Sequence, residues 1–97
     1  MTKTAAEKIQ HNAAKILGGY ADKNIRITPG VEKNQYALSI EYEQAACFKL
    51  LCESRTMLED YLIKKGYIVV VSNMAHDPAN IGVRGTFNIV FAERNAK

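Results

Sequence analysis

From Ile81 to Phe91, one parity holds Ile81, Val83, Gly85, Phe87, Ile89 and Phe91. The other holds Gly82, Arg84, Thr86, Asn88 and Val90. Successive side chains of a strand point to opposite faces, so this alternation describes a strand with one face in a core and one outside it. No other segment constrains the fold as much. Such a strand needs paired neighbours and a layer over its apolar face. Gly85 interrupts the large residues on its parity, and the expectation is a bulge or bend there.

Three further segments supply neighbours. Gln35 to Tyr42 alternates, with Tyr36, Leu38, Ile40 and Tyr42 on one side and Ala37, Ser39 and Glu41 on the other. Asn24 to Thr28 is a shorter strand, and Pro29-Gly30 behind it suits a type II turn in which Gly takes a positive φ. Tyr67 to Ser72 is apolar on both parities. That pattern predicts a central strand, buried on both faces or covered on one by a partner. Asn73 to Asn80 is expected to be the loop leading into the last strand.

Two segments carry helical periodicity. Thr4-Ala5-Ala6-Glu7 matches a capping box, and Ile9, Ala13, Ile16, Leu17 and Tyr20 follow at helical spacing. Gly18-Gly19 is a stop signal, so the first helix is expected over residues 4–18. Residues 43–65 form the second helical segment. Its apolar stripe is Cys47, Leu50, Leu51, Ser54, Leu58, Tyr61 and Leu62. No good N-cap precedes Glu43, and Thr56-Met57-Leu58-Glu59 is itself a capping-box pattern. The segment is therefore one long helix or two shorter ones divided near Ser54. Gly66 behind Lys64-Lys65 ends it.

The order is α-β-β-α-β-β. With 97 residues there is material for one modest core. The expected architecture is a single α+β domain over residues 1–97, a two-layer sandwich. It has a four-stranded, mostly antiparallel sheet with two helices packed on one face. The parity toward the helices holds Ile25, Ile27, Tyr36, Leu38, Ile40, Phe87, Ile89 and Phe91. The other parity carries Arg26, Ala37, Ser39, Arg84, Thr86, Asn88 and Val90. It also takes Ile68 or Val69, with Val70 or Val71, from the apolar strand. Branched aliphatics on an otherwise polar open face suggest association with a protein partner or with a second copy as a homo-oligomer. The interface candidates are Ile68, Val70, Arg84, Thr86, Asn88 and Val90. The competing reading is that the N-terminal residues, the 29–34 loop or the C-terminal tail cover the strip.

Charge supplies the alternative function. The chain has 13 Lys and Arg against 10 Asp and Glu, for a net +3. Residues 1–33 hold six cations and three anions, so basicity is concentrated there. Lys23, Arg26 and Lys33 around the first hairpin are the candidates for contacting a nucleic-acid backbone. Signals for base readout are lacking: there is no Trp, and the strand aromatics fall almost entirely on the core parity.

Catalysis ranks third. Asn73, His76, Asp77, Asn80 and Arg84 fall within the 73–84 connection, where His76 could exchange a proton and Asp77 could orient it. His-Asp-Pro is equally good turn chemistry. Cys47 and Cys52 stand five apart, about 140° around a helix, and read as two small residues of a packed helix rather than a disulfide or a nucleophile. No zinc or calcium spacing and no phosphate loop is present, so no metal and no cofactor is expected. Ile68-Val69-Val70-Val71 is a strand-sized run, far short of the ~20 residues of a membrane span. Met1-Thr2-Lys3-Thr4 does not open a secretory signal. A cytoplasmic location without membrane contact is the expectation.

Overall fold

The computed structural model describes residues 1–18, 24–30, 32–76, 79 and 84–94, and of His76 the backbone alone. Its elements are α1 (Lys3–Ile16), β1 (Ile25–Pro29), β2 (Gln35–Tyr42), α2 (Ala45–Lys64), β3 (Tyr67–His76) and β4 (Gly85–Glu93). The sheet has the order β1-β2-β4-β3, and each neighbouring pair is antiparallel. β2 and β3 consequently run in the same direction with β4 between them, and α2 is the crossover that joins them. α1 packs on β1, α2 packs on β3 and β4, and the helices touch each other. This is the expected two-layer α+β architecture.

The inward parity is also as expected. Ile25, Leu38, Ile40, Phe87, Ile89 and Phe91 are buried with Tyr42, and Ile27 and Tyr36 pack half-buried beside them. Strand register lines these up in rows, Ile25–Ile40–Phe87–Met74 and Ile27–Leu38–Ile89–Ser72. Ile9, Ala13, Ala14 and Leu17 of the first helical segment and Leu51, Leu58 and Leu62 of α2 close the core from the other side. Polar ties cross each of these packing seams. Gln10 Nε2 donates to the Ile25 carbonyl at 2.7 Å, Asn12 Nδ2 donates to the Tyr61 hydroxyl at 3.1 Å, and the Ser72 hydroxyl donates to Glu59 at 2.5 Å.

The helix bounds shift by one or two residues from the expected 4–18 and 43–65, and one cap differs outright. The cap of α1 is Thr2, not Thr4: Thr2 is extended and its hydroxyl accepts from the Ala5 N–H at 3.1 Å. The Thr2 carbonyl already accepts from the Ala6 N–H, so the helix has begun before a Thr4-to-Glu7 box could close. Gly18 takes a φ of 69° one residue past the C-cap Leu17, as a terminating glycine should. α2 is one continuous helix, and Ser54 is buried within it rather than marking a break. Its N-cap Gln44 makes no side-chain cap bond, in keeping with the weak signal before Glu43. Gly66, with φ 95°, ends it.

The first hairpin turns differently from a Pro-Gly type II turn. The ladder runs through Pro29↔Tyr36 and on to a bond from the Gly30 N–H to the Gln35 carbonyl, so Pro29-Gly30 belongs to the strand side of the turn. The positive φ is taken by Asn34, at 74°. Gly30 is needed for close approach instead, because a Cβ there would lie 2.8 Å from Gln35 Cβ. The second hairpin differs more. Asn73, Met74, Ala75 and His76 belong to β3 and pair with Asn88, Phe87, Thr86 and Gly85. The connection is thus shorter than 73–84, and Ile81–Val83 lie outside the described residues. The bulge is not at Gly85 but across the ladder in β3, where Val69 pairs with Phe91 and Val71 with Val90, leaving Val70 extra.

Candidate protein-interaction face

β3 is an edge strand rather than the central strand its composition predicts. The bulge explains how it can be apolar on both parities. Up to Val69, odd-numbered residues turn toward the helices, and Tyr67 and Val69 pack against the core. The extra residue at Val70 switches the parity. Ser72 and Met74 then turn inward, and Val70 and Val71 both stay on the open face. Ile68, Val70 and Val71 are exposed at 46%, 50% and 47%. Their aliphatic character thus serves the outside of the sheet, not a second buried face.

Register extends this strip inward across the sheet. Val71 is beside Val90, which is beside Ala37 and then Thr28; Ile68 is beside Ala92, which is beside Gln35. The next row along the strands is polar: Arg26, Ser39, Asn88 and Asn73, of which the last three are neutral. Ser39 donates its hydroxyl to Asn88 Oδ1 at 2.8 Å, and Asn88 Nδ2 donates to Asn73 Oδ1 at 3.3 Å. At the far edge Arg26 forms an ion pair with Glu41. The open face therefore has an aliphatic half, a hydroxyl-amide row and one mutually paired couple of charges.

Each interface candidate can be placed. Ile68 and Val70 are exposed on β3. Thr86, Asn88 and Val90 are half-buried on the same face of β4. Arg84 is exposed, just before β4 begins. Val71 and Asn73 complete the face. A strict alternation rule forces a choice between Val70 and Val71, and it leaves Asn73 in a loop. The available signal is the inward set itself, Tyr67 and Val69 on one parity followed by Met74 on the other. Of the residues that could cover the strip, Met1 is held elsewhere. The Met1 amine donates to the Tyr36 hydroxyl at 2.7 Å and to Glu93 Oε1 at 3.1 Å, and Met1 packs against the core side.

The other candidate chemistries gather less. Of the basic trio, Arg26 is engaged with Glu41 on β1, Lys33 is exposed in the β1–β2 turn, and Lys23 lies outside the described residues. Asp77 and Asn80 also lie outside them, and Asn73 is drawn into the open-face row. Cys47 is half-buried as a packed residue would be, whereas Cys52 is exposed; both are free thiols. Cys52 borders a cleft of about 150 Å³ with Arg55, Asn73, Met74 and Phe87. That is smaller than the ~300 Å³ at which small-molecule pockets begin. An open depression of about 490 Å³ is lined by Thr4, Glu7, Lys8, Gln10, His11 and Asn12. All six belong to α1, and a single helix cannot enclose a ligand.

Among the described residues no three His, Cys, Asp or Glu side chains gather as a metal site. Among them, too, no helix is long and apolar enough to cross a membrane. Among the described residues the pKa displacements run away from neutrality. Burial raises the Tyr42 and Tyr67 phenols, and the Glu93 bond raises that of Tyr36. Glu93 is lowered, first by Tyr36 and then by the N-terminal amine. These shifts stabilise the protonation states already present near pH 7 and prepare no acid or base for exchange there. No family model, curated protein or solved structure matches this chain, so the open sheet face stands on its geometry alone.

Proposed function

We propose that this chain is a small non-catalytic interaction domain that meets a protein surface through the open face of its sheet. The observation that carries the reading is the contiguous exposure of Ile68, Val70 and Val71 beside Val90, Ala37 and Ala92. Fully burying a Val or Ile side chain is worth ~1.5–3 kcal/mol, and these three leave about half of their surface in water. A covering surface would recover that. The free edges offer less: β1 is short and carries Arg26 and Pro29, residues that discourage association at an edge, and β3 is interrupted by the bulge at Val70.

A diazirine photo-cross-linking residue in place of Val70 tests the reading in cells that make the protein. Irradiation should attach the chain covalently to protein, either to itself or to another species. The same residue in place of Met57, exposed on α2, should give no adduct. Equal yields at the two positions, or none at either, would overturn the proposal.

A further inference from the structure

We infer that the occupant of the open face is a second copy of this chain, stacked sheet against sheet about a two-fold axis. The inference rests on the docking reading above and adds the identity and geometry of the partner. An isologous interface must be complementary to itself. Aliphatic side chains meet that requirement, and so do hydroxyl and amide groups, which both donate and accept. The face consists mostly of these. Val70, Val71, Val90, Ala37, Ile68 and Ala92 form the apolar half, and Ser39, Asn88 and Asn73 the polar row.

Charge supports the same choice. On the described strand residues of this face, the charged side chains are Arg26 and Glu41, and they pair with each other. Apart from Arg84 at its rim, the surface through which a chain of net +3 meets its copy is therefore locally neutral. A strongly acidic or basic partner would find no opposite cluster there. The area is adequate as well. The strands have 5, 8, 10 and 9 residues; about 4.8 Å apart and at about 3.4 Å per residue, they present roughly 500 Å² in projection. Stacking two such faces removes about 1,000 Å² from water, the threshold a biological interface should clear.

The bulge decides between stacking and edge pairing. An extra residue at Val70 interrupts the β3 ladder in the middle of the edge that a second strand would have to extend. It also adds an aliphatic side chain to the face. The dimer is therefore a pair of sheets with a helix layer on each outer side, not one continuous eight-stranded sheet.

Light scattering during size exclusion on the full chain reads the mass directly. The wild type should run at twice the chain mass at 100 µM and dissociate on dilution. Val71→Lys should halve the mass, with its far-UV circular dichroism unchanged. Ala37→Lys is the discriminating variant. Ala37 stands on β2, two strands in from the β3 edge, about 10 Å away. A stacked dimer must break on this substitution, whereas an edge-paired dimer would persist and overturn the stacking geometry. A wild-type monomer at every concentration would overturn self-association. If adducts to foreign protein at position 70 survive that result, the docking reading stands and only the copy falls. If they are absent too, both fall.

Discussion

Gly85 shows most clearly how a single residue can matter here for a reason other than chain flexibility. A Cβ at this position would collide with the Ala75 carbonyl oxygen and sit 2.7 Å from the buried Tyr42 hydroxyl. Neither can retreat, because Ala75 is held in β3 and Tyr42 is fully packed. Gly85→Ala should therefore cost about 1–3 kcal/mol in urea unfolding. An unchanged midpoint would show that the start of β4 is looser than its register. Glu93 and Tyr36 make a second prediction, with a pH signature. The Tyr36 hydroxyl donates to Glu93 Oε1 at 2.7 Å, which lowers the carboxyl and raises the phenol. A lowered carboxyl adds stability that is complete above its unfolded value, about 4.3, and vanishes as pH falls through the folded one. A raised phenol adds stability that is complete below about 10 and vanishes as pH rises through its folded value. Glu93→Gln should thus lower the melting temperature at pH 7, and the gap to wild type should close below about pH 4. A gap that stays constant with pH would assign the effect to packing instead of charge.

At the scale of elements, α2 and β3 teach opposite lessons. The α2 stripe was legible because helix periodicity survives an ambiguous cap. Leu51, Leu58 and Leu62 come at intervals of seven and four and are fully buried. Leu58→Ala should cost about 2–5 kcal/mol, and a near-neutral result would contradict the packing of α2 on β3 and β4. β3 was not legible, because alternation carries no mark where a single extra residue resets it. An unbroken run of aliphatics is what a buried central strand and a bulged edge strand have in common. Only pairing with β4 separates them, and pairing is a long-range property. The N-terminal cap was missed for a local reason: Thr2 and Thr4 are both competent, and the earlier one engages first. Deleting Val70 tests the bulge. Val69 would still face the core, Val71 the outside and Ser72 the core, so the chain should fold with its far-UV circular dichroism retained. Loss of the fold would mean that Val70 is integral to the ladder.

For the whole molecule, the two-layer order and the core parity were legible from alternation and periodicity together, since both describe the side facing inward. What faces outward obeys no such rule. The row of Ser39, Asn88 and Asn73 arises from three strands far apart in sequence, and none of the three residues marks the other two. The +3 charge likewise says less about function than its distribution does, because the described strand residues of the proposed interface carry one cation and one anion, paired with each other. The central claim, that this face is covered by its own image, is tested most directly by isotope-filtered NMR. The sample is an equal mixture of ¹³C-labelled and unlabelled chains at a concentration where the dimer dominates. Stacked sheets predict contacts between chains from the methyl groups of Val70, Val71 and Val90. Methyl contacts confined within a single chain would contradict the account.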